Sequence, residues 1–254
     1  MQIKGLQKLT LLDYPGHIAC TVFVGGCNLR CPFCHNGSLA VDRAEPLMSV
    51  DDFLTFLDSR SGRLTGMCVS GGEPTLQKEL PELLRQIKSR GFSVKLDTNG
   101  TNPDMLEILI AEGLVDYIAM DIKNSPEKYF ETAGLNAKCT SSTGRAGPPS
   151  PIGFAGEGNM QNAELILEKV KQSADLLMQG RVDFEFRTTL VRELHDEEDI
   201  VSIGKWLTGD EKYFLQTYRN EGDLLVGGFT SYNNEETERL LSLLRAYIPN
   251  AEIR

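Results

Sequence analysis

The stretch CNLRCPFCHN, residues 27–36, sets Cys27, Cys31 and Cys34 within eight positions and uses half of the chain's six cysteines. Thiolates this close must share a metal or repel one another. A structural zinc site wants four ligands, so zinc would have to recruit His35 or His17. A disulfide wants a pair, and chance clustering is the remaining bland reading. Iron is soft enough to favour thiolate sulfur, which makes an iron–sulfur cluster the preferred reading. Three thiolates leave one iron of a four-iron cube open, much as a catalytic zinc keeps a position for its reactant. An electron-carrying ferredoxin would close that corner with a fourth cysteine. The missing ligand therefore points to something small that binds there.

The elements that must hold these groups alternate along the chain. IACTVFVGG (18–26) is a β-branched apolar run that leads into the cysteine loop. DDFLTFLDS (51–59) reads as a short amphipathic helix and GMCVSGG (66–72) as a strand entering a glycine turn. Leu80, Leu83, Leu84 and Ile87 fall at i, i+3, i+4 and i+7, one buried helical stripe. SVKLDTNG (93–100) is a strand ending in turn residues, and Pro103 suits the first turn of the helix that carries Met105, Leu106 and Leu109. VDYIAMDIK (115–123), VDFEFRTTL (182–190) and YFLQTYR (213–219) read as strands. Helices are expected over 160–178, around Ile200, Ile203 and Leu207, and near 240–247.

Six β-then-α units predict parallel strands joined by right-handed crossovers. They are too few for the usual eight-fold closed barrel, so the expected fold is α/β, a partial open (β/α)6 barrel with its site at the C-terminal ends of the strands. The whole chain, 1–254, reads as a single domain. Between Gly134 and Asn159 lie six glycines and three prolines with few large apolar residues, the composition of a long exposed loop inserted in that domain. Cys139 falls in this loop with no identifiable partner. Cys20 and Cys68, inside apolar strands, read as small core residues, as do Phe23 and Val24.

Composition excludes some classes of partner. Lys and Arg number 26 against 36 Asp and Glu, a net charge of −10, so no basic field is available for nucleic acid or an anionic membrane. No stretch approaches the roughly 18 apolar residues of a membrane span. The amino terminus shows no apolar core followed by a small-residue cleavage site, so the expected location is cytoplasmic. In that reducing compartment, clustered cysteines mean metal or redox chemistry.

The pattern C-x3-C-x-Φ-C, with Phe33 at the aromatic position, resembles the signature of the radical S-adenosylmethionine (SAM) enzymes. The opening KLTLLDYPGHIACTVFVGGCNLRCPFCHN resembles the activating proteins of anaerobic ribonucleoside-triphosphate reductases. IAMDIK, FRTTL and FLQTYR resemble their later strands, so the likeness spans nearly the whole chain apart from 134–159. It implies one 4Fe-4S cluster on Cys27, Cys31 and Cys34, with S-adenosylmethionine chelating the open iron. It also implies reductive cleavage to a 5′-deoxyadenosyl radical, which abstracts hydrogen from a glycine of a partner glycyl-radical enzyme. The reducing electron would come from a donor such as flavodoxin or ferredoxin.

The likeness extends to the later strand ends. SGGEP (70–74) is similar to the family's GGEP motif: Gly71 and Gly72 would let backbone approach the ligand, and Glu73 would offer a carboxylate to an ammonium. Asp97, Thr98 and Asn99 in LDTNG, and Asp121 and Lys123 in MDIK, match positions that contact S-adenosylmethionine in the similar activators. A monovalent cation would map to Asp97, Thr98 and Asp121. Arg187 would pair with a carboxylate, and Arg219 is a weaker candidate. Read without the resemblance, these residues are turn formers and solvated charges. Two other radical enzymes also fit the fold: an activator of pyruvate formate-lyase, and a small-molecule enzyme of deazapurine synthesis. A zinc-binding or electron-carrying module is the non-enzymatic reading.

Overall fold

The computed structural model describes residues 1–135, 159–209 and 211–254. Most of the stretch read as a loop at 134–159, with Cys139, lies outside the described residues. In chain order the first elements are β1 (Ile3–Thr10), β2 (Ala19–Val24), α1 (Gly37–Ala40), α2 (Val50–Asp58) and β3 (Gly66–Gly71). A short 3-10 turn (Pro74–Leu76) precedes α3 (Leu80–Ser89), β4 (Ser93–Thr98), α4 (Pro103–Ala111) and β5 (Tyr117–Asp121). Then come α5 (Tyr129–Thr132), α6 (Asn159–Met178), β6 (Asp183–Leu190) and α7 (Glu197–Trp206). The last are β7 (Tyr213–Thr217), α8 (Asn234–Arg245) and β8 (Ala251–Ile253).

The chain divides into two compact units. The first comprises Met1–Asn28, Ser38–Asp121 and Gln172–Glu185. Its strands lie in chain order: β1 runs antiparallel to β2, and β2, β3, β4 and β5 are mutually parallel. Cys20, Val22, Val24, Met67, Cys68, Val69, Val94, Leu96 and Ile118 are fully buried, which is why these strands read as continuous apolar runs. Ser49 and Asp52 form a reciprocal capping box that starts α2, and Phe53, Leu54 and Leu57 supply its buried face. The predicted stripe of α3 is buried at all four positions. Asn102 caps α4 from its side chain, with Pro103 in the first turn.

The second unit comprises Leu29–Gly37, Ile122–Lys171 and Phe186–Arg254. Its strands β6, β7 and β8 are parallel and again in chain order. Capping boxes at Asp196/Asp199 and Asn233/Glu236 open α7 and α8. Ile200 and Ile203 of α7, and Leu240, Leu241 and Leu244 of α8, are buried.

The architecture is α/β with an open, mostly parallel sheet, and each of the six strands expected from the sequence is present. Two strands escaped the reading. β1 carries Gly5, Gln7 and Lys8, so its pattern is too diluted to stand out, and it is largely exposed along its second half. β8 has three residues, shorter than any periodicity can reveal. Among the described residues no helix is long and apolar enough to cross a membrane.

Candidate active site

In the first unit the C-terminal ends of β2, β3 and β4 carry residues picked out from the sequence. Past β2, the N–H groups of Gly26 and Cys27 donate to the carbonyls of Leu39 and Ala40 at 2.8 and 3.1 Å. Past β3, the N–H of Gly72 donates to Val24 O (2.9 Å) and that of Glu73 to Gly26 O (2.8 Å). Gly71 has φ +122°, and a Cβ on Gly72 would stand 2.1 Å from Gly26 O. The two glycines thus let two strand ends close on each other inside the protein.

Glu73 is fully buried and its carboxylate is turned inward. One oxygen accepts from the N–H and the hydroxyl of Thr75 (3.1 and 2.6 Å) and from the Thr98 hydroxyl (2.7 Å). The other accepts from the N–H of Asn99 at 2.6 Å. Burial pushes the Glu73 pKa up, while these donors act against the shift. Its carboxylate therefore locks the GGEP turn to the TNG turn.

Asn99 connects that lock to a cysteine. Its Nδ2 lies 3.6 Å from Cys27 Sγ and 3.1 Å from Asn28 Oδ1, and its Oδ1 accepts from the N–H and hydroxyl of Thr101 (3.0 and 2.7 Å). Asn28 Nδ2 in turn donates to Thr101 Oγ1 at 2.9 Å. Asp97, expected to face a ligand or a cation, accepts from Lys95 Nζ at 2.5 Å, and Lys95 is buried. An ammonium of the protein thus stands against one oxygen of the Asp97 carboxylate. Asp121, half-buried, is the last residue of β5.

The second unit carries Cys31 and Cys34. A tight turn joins them, with the N–H of Cys34 donating to Cys31 O at 3.0 Å. The segment 223–226 clamps the loop: Gly37 N–H reaches Asp223 O (2.7 Å), Leu225 N–H reaches Cys34 O (3.0 Å), and Val226 N–H reaches Pro32 O (2.9 Å). Phe33 is buried. His35 Nε2 is 2.5 Å from Arg219 O and its ring stacks on Tyr218 at 5.3 Å. Arg219 therefore enters through its backbone carbonyl. Lys123 is half-buried, and its carbonyl faces His195 Nε2 at 2.9 Å. Arg187 lies within β6, half-buried, with its carbonyl accepting from Ile122 N–H at 2.8 Å.

The donor set fits an iron–sulfur cluster. Cys27, Cys31 and Cys34 take part in no disulfide. Two of them already face N–H donors, Asn99 Nδ2 at Cys27 and the Asn36 N–H, 3.4 Å from Cys34 Sγ, the contacts that support thiolate ligands. His35, one candidate fourth zinc ligand, is engaged by Arg219. His17, the other, sits with Nδ1 3.1 Å from Thr65 Oγ1 and its ring against Tyr14. Cys20 and Cys68 are fully buried as expected, and burial pushes the Cys20 thiol up to about 12, which keeps it inert.

Residues 21–142 match the Radical SAM superfamily. A protein of Methanocaldococcus jannaschii with the provisional name glycyl-radical enzyme activating enzyme is 32% identical over 99% of this chain and 95% of its own. The chain belongs to the glycyl-radical enzyme activating group of the radical SAM superfamily. A pyruvate formate-lyase-activating enzyme of Clostridium pasteurianum is 30% identical over 58% of this chain and 59% of its own. The crystal structure of a radical SAM methyltransferase from Sphaerobacter thermophilus covers 95% of this chain and 67% of its own, at 17% identity and a TM-score of 0.62. That likeness shows the fold alone. As a radical SAM activating enzyme the chain uses a 4Fe-4S cluster and S-adenosylmethionine, and it acts on a protein substrate.

Sequence reasoning missed supporting residues in each unit: Asn28, Lys95 and Thr101 in the first, His195 and the 223–226 clamp in the second. Asn28 lies inside the cysteine triplet and Thr101 directly follows LDTNG, so adjacency was a usable signal for both. For the clamp, in NEGDLLVGG, there was none.

Proposed function

We propose that this chain activates an anaerobic ribonucleoside-triphosphate reductase, by taking a hydrogen atom from one glycine of that enzyme. In this reading Cys27, Cys31 and Cys34 hold the cluster, and the whole chain serves as one catalytic domain. Such a cluster, held by Cys27, Cys31 and Cys34, would supply the one electron for reductive cleavage of S-adenosylmethionine, the source of the radical that would take the glycine hydrogen. The protein's own task is to hold, orient and exclude water. Asp97, Thr98, Asp121, Lys123 and Arg187 are assigned to the S-adenosylmethionine side, with Gly71 and Gly72 closing the turn, Phe33 buried within the cysteine loop, and Glu73 and Asn99 bracing the strand ends. A flavodoxin or ferredoxin supplies the electron, and the location is cytoplasmic.

The observation that carries the reading is the engagement of His35. The histidine adjacent to the triplet, which would complete a closed zinc site, is bound at Nε2 to Arg219 O. Support for this particular partner comes from the opening segment, residues 8–36, through its resemblance to reductase activators. A second reading, activation of pyruvate formate-lyase, is favoured by the 30% identity to the Clostridium enzyme.

One experiment separates these. Reconstituted protein is reduced without oxygen and mixed with S-adenosylmethionine and either glycyl-radical enzyme. A glycyl-radical EPR doublet with the reductase alone supports the proposal, and a doublet with the lyase alone replaces it by the second reading. Colourless protein with one zinc, and no 5′-deoxyadenosine, overturns both.

A further inference from the structure

Asn99 was expected to contact a ligand, yet its side chain is fully committed within the protein. The N–H of Thr101 can only donate, so the oxygen of the Asn99 amide must face it, at 3.0 Å. That fixes the amide orientation and turns Nδ2 toward Cys27 Sγ (3.6 Å) and Asn28 Oδ1 (3.1 Å). The Thr101 hydroxyl, 2.7 Å from Asn99 Oδ1, takes a hydrogen bond from Asn28 Nδ2 at 2.9 Å. The backbone of Asn99 is held separately, by its N–H to buried Glu73 at 2.6 Å. Asn99 and Thr101 are both about 95% buried, so water competes weakly for these groups.

We propose that Asn99 is a positioning residue that, held by Glu73, Asn28 and Thr101, donates a hydrogen bond to the Cys27 sulfur and thereby raises the reduction potential of the cluster. An N–H donor draws electron density from a ligand thiolate and favours the more negative, reduced state; hydrogen bonds to sulfur are among the main determinants of iron–sulfur potentials. The inference rests on the reading that Cys27 ligates the cluster.

The test is an EPR-monitored redox titration of the anaerobically reconstituted full chain, without S-adenosylmethionine, on wild type, Asn99→Ala, Thr101→Val and Thr101→Ser, with iron counted in each. Asn99→Ala should keep four irons and shift the midpoint to more negative potential. Thr101→Val, which keeps the backbone N–H but removes the hydroxyl that bonds Asn99 Oδ1 and Asn28, loosens the amide and should shift the midpoint the same way by less. Thr101→Ser should restore the wild-type value. The sign discriminates, because mere loosening that admits water would move the potential upward. An unchanged or more positive midpoint in both Asn99→Ala and Thr101→Val overturns the inference. If Asn99→Ala loses its iron, Thr101→Val decides alone. Loss of iron from both also overturns it, since the network would then be only structural support. A wild type that holds no cluster fails at the earlier step, the ligand assignment, and is distinguished by its iron count.

Discussion

The Glu73 carboxylate and the backbone N–H of Asn99, 26 residues apart in the chain, meet at 2.6 Å in an environment closed to solvent. The contact joins the turn after β3 to the turn after β4, and three further donors from Thr75 and Thr98 complete the acceptor shell. Glu73→Gln would place an NH2 group against at least one of these donors. We expect a loss of about 2–4 kcal/mol of stability, the cost of unmaking a buried, charge-assisted network. Anaerobic urea unfolding measures it. If Glu73 instead contacts ligand directly, stability should hold and only S-adenosylmethionine binding should fall.

Gly72 offers a sharper steric test. A Cβ there would lie 2.1 Å from Gly26 O, a backbone atom that cannot step aside without moving the residue before Cys27. Gly72→Ala should destabilise the protein by about 3 kcal/mol or more and lower its iron content, by the mechanism of overpacking. Gly62, at φ +72° with open space around its Cβ position, is the control. Gly62→Ala should cost only about 1 kcal/mol, from the left-handed backbone, with iron content unchanged. Equal effects at the two positions would rule out the close approach of the strand ends.

Lys95 and Asp97 point the same way from β4 and pair at 2.5 Å, the lysine side chain only 2% exposed and the aspartate 19%. Lys95→Met removes the charge and keeps the length, which leaves Asp97 without this partner. The expected loss is about 2–3 kcal/mol, at the lower end for a broken buried pair because Asp97 is partly wet. Wild-type stability should not depend on whether Na+ or K+ is the salt cation at fixed ionic strength. A clear dependence would show that Asp97 takes a free cation despite Lys95.

Much of this was legible beforehand because it depends on local pattern. The α3 stripe of Leu80, Leu83, Leu84 and Ile87 and the apolar strands around Cys20 and Cys68 are buried where period and composition placed them. Strand-end motifs were found because turn residues follow directly on apolar runs. What stayed hidden depends on pairing across the chain. Nothing local to Glu73 tells whether it faces solvent, a ligand or Asn99, and a lysine at 95 in a buried strand looks like an error until Asp97 is seen beside it. The bond from Val226 to Pro32 joins residues almost two hundred positions apart, in a segment without periodicity.

His195 shows the same dependence on distant partners and yields a pH prediction. It is 2% exposed, with Nε2 2.9 Å from Lys123 O and Nδ1 3.2 Å from the N–H of Val191. That arrangement suits the neutral ring, one nitrogen donating and the other accepting. Burial holds its pKa below the usual histidine value. A depressed folded-state pKa means that the unfolded chain binds the proton first. The contribution is therefore fully present above about pH 6.5, the unfolded value, and is lost as pH falls toward and through the folded value, by at most about 1.4 kcal/mol per pH unit. The acid side of the same unit titrates lower: hydrogen bonding to Lys128 holds Asp196 below the ordinary carboxylate range, so its contribution fades only below about pH 4. The window between pH 6.5 and 5 thus reports on His195. Urea midpoints of wild type and His195→Gln, compared across that window, should converge as pH falls, because the variant lacks the titration while the wild type weakens. Parallel curves would mean that His195 titrates alike in the folded and unfolded chain, and curves that diverge as pH falls would mean that it carries a proton in the folded state; either outcome overturns the neutral-ring assignment.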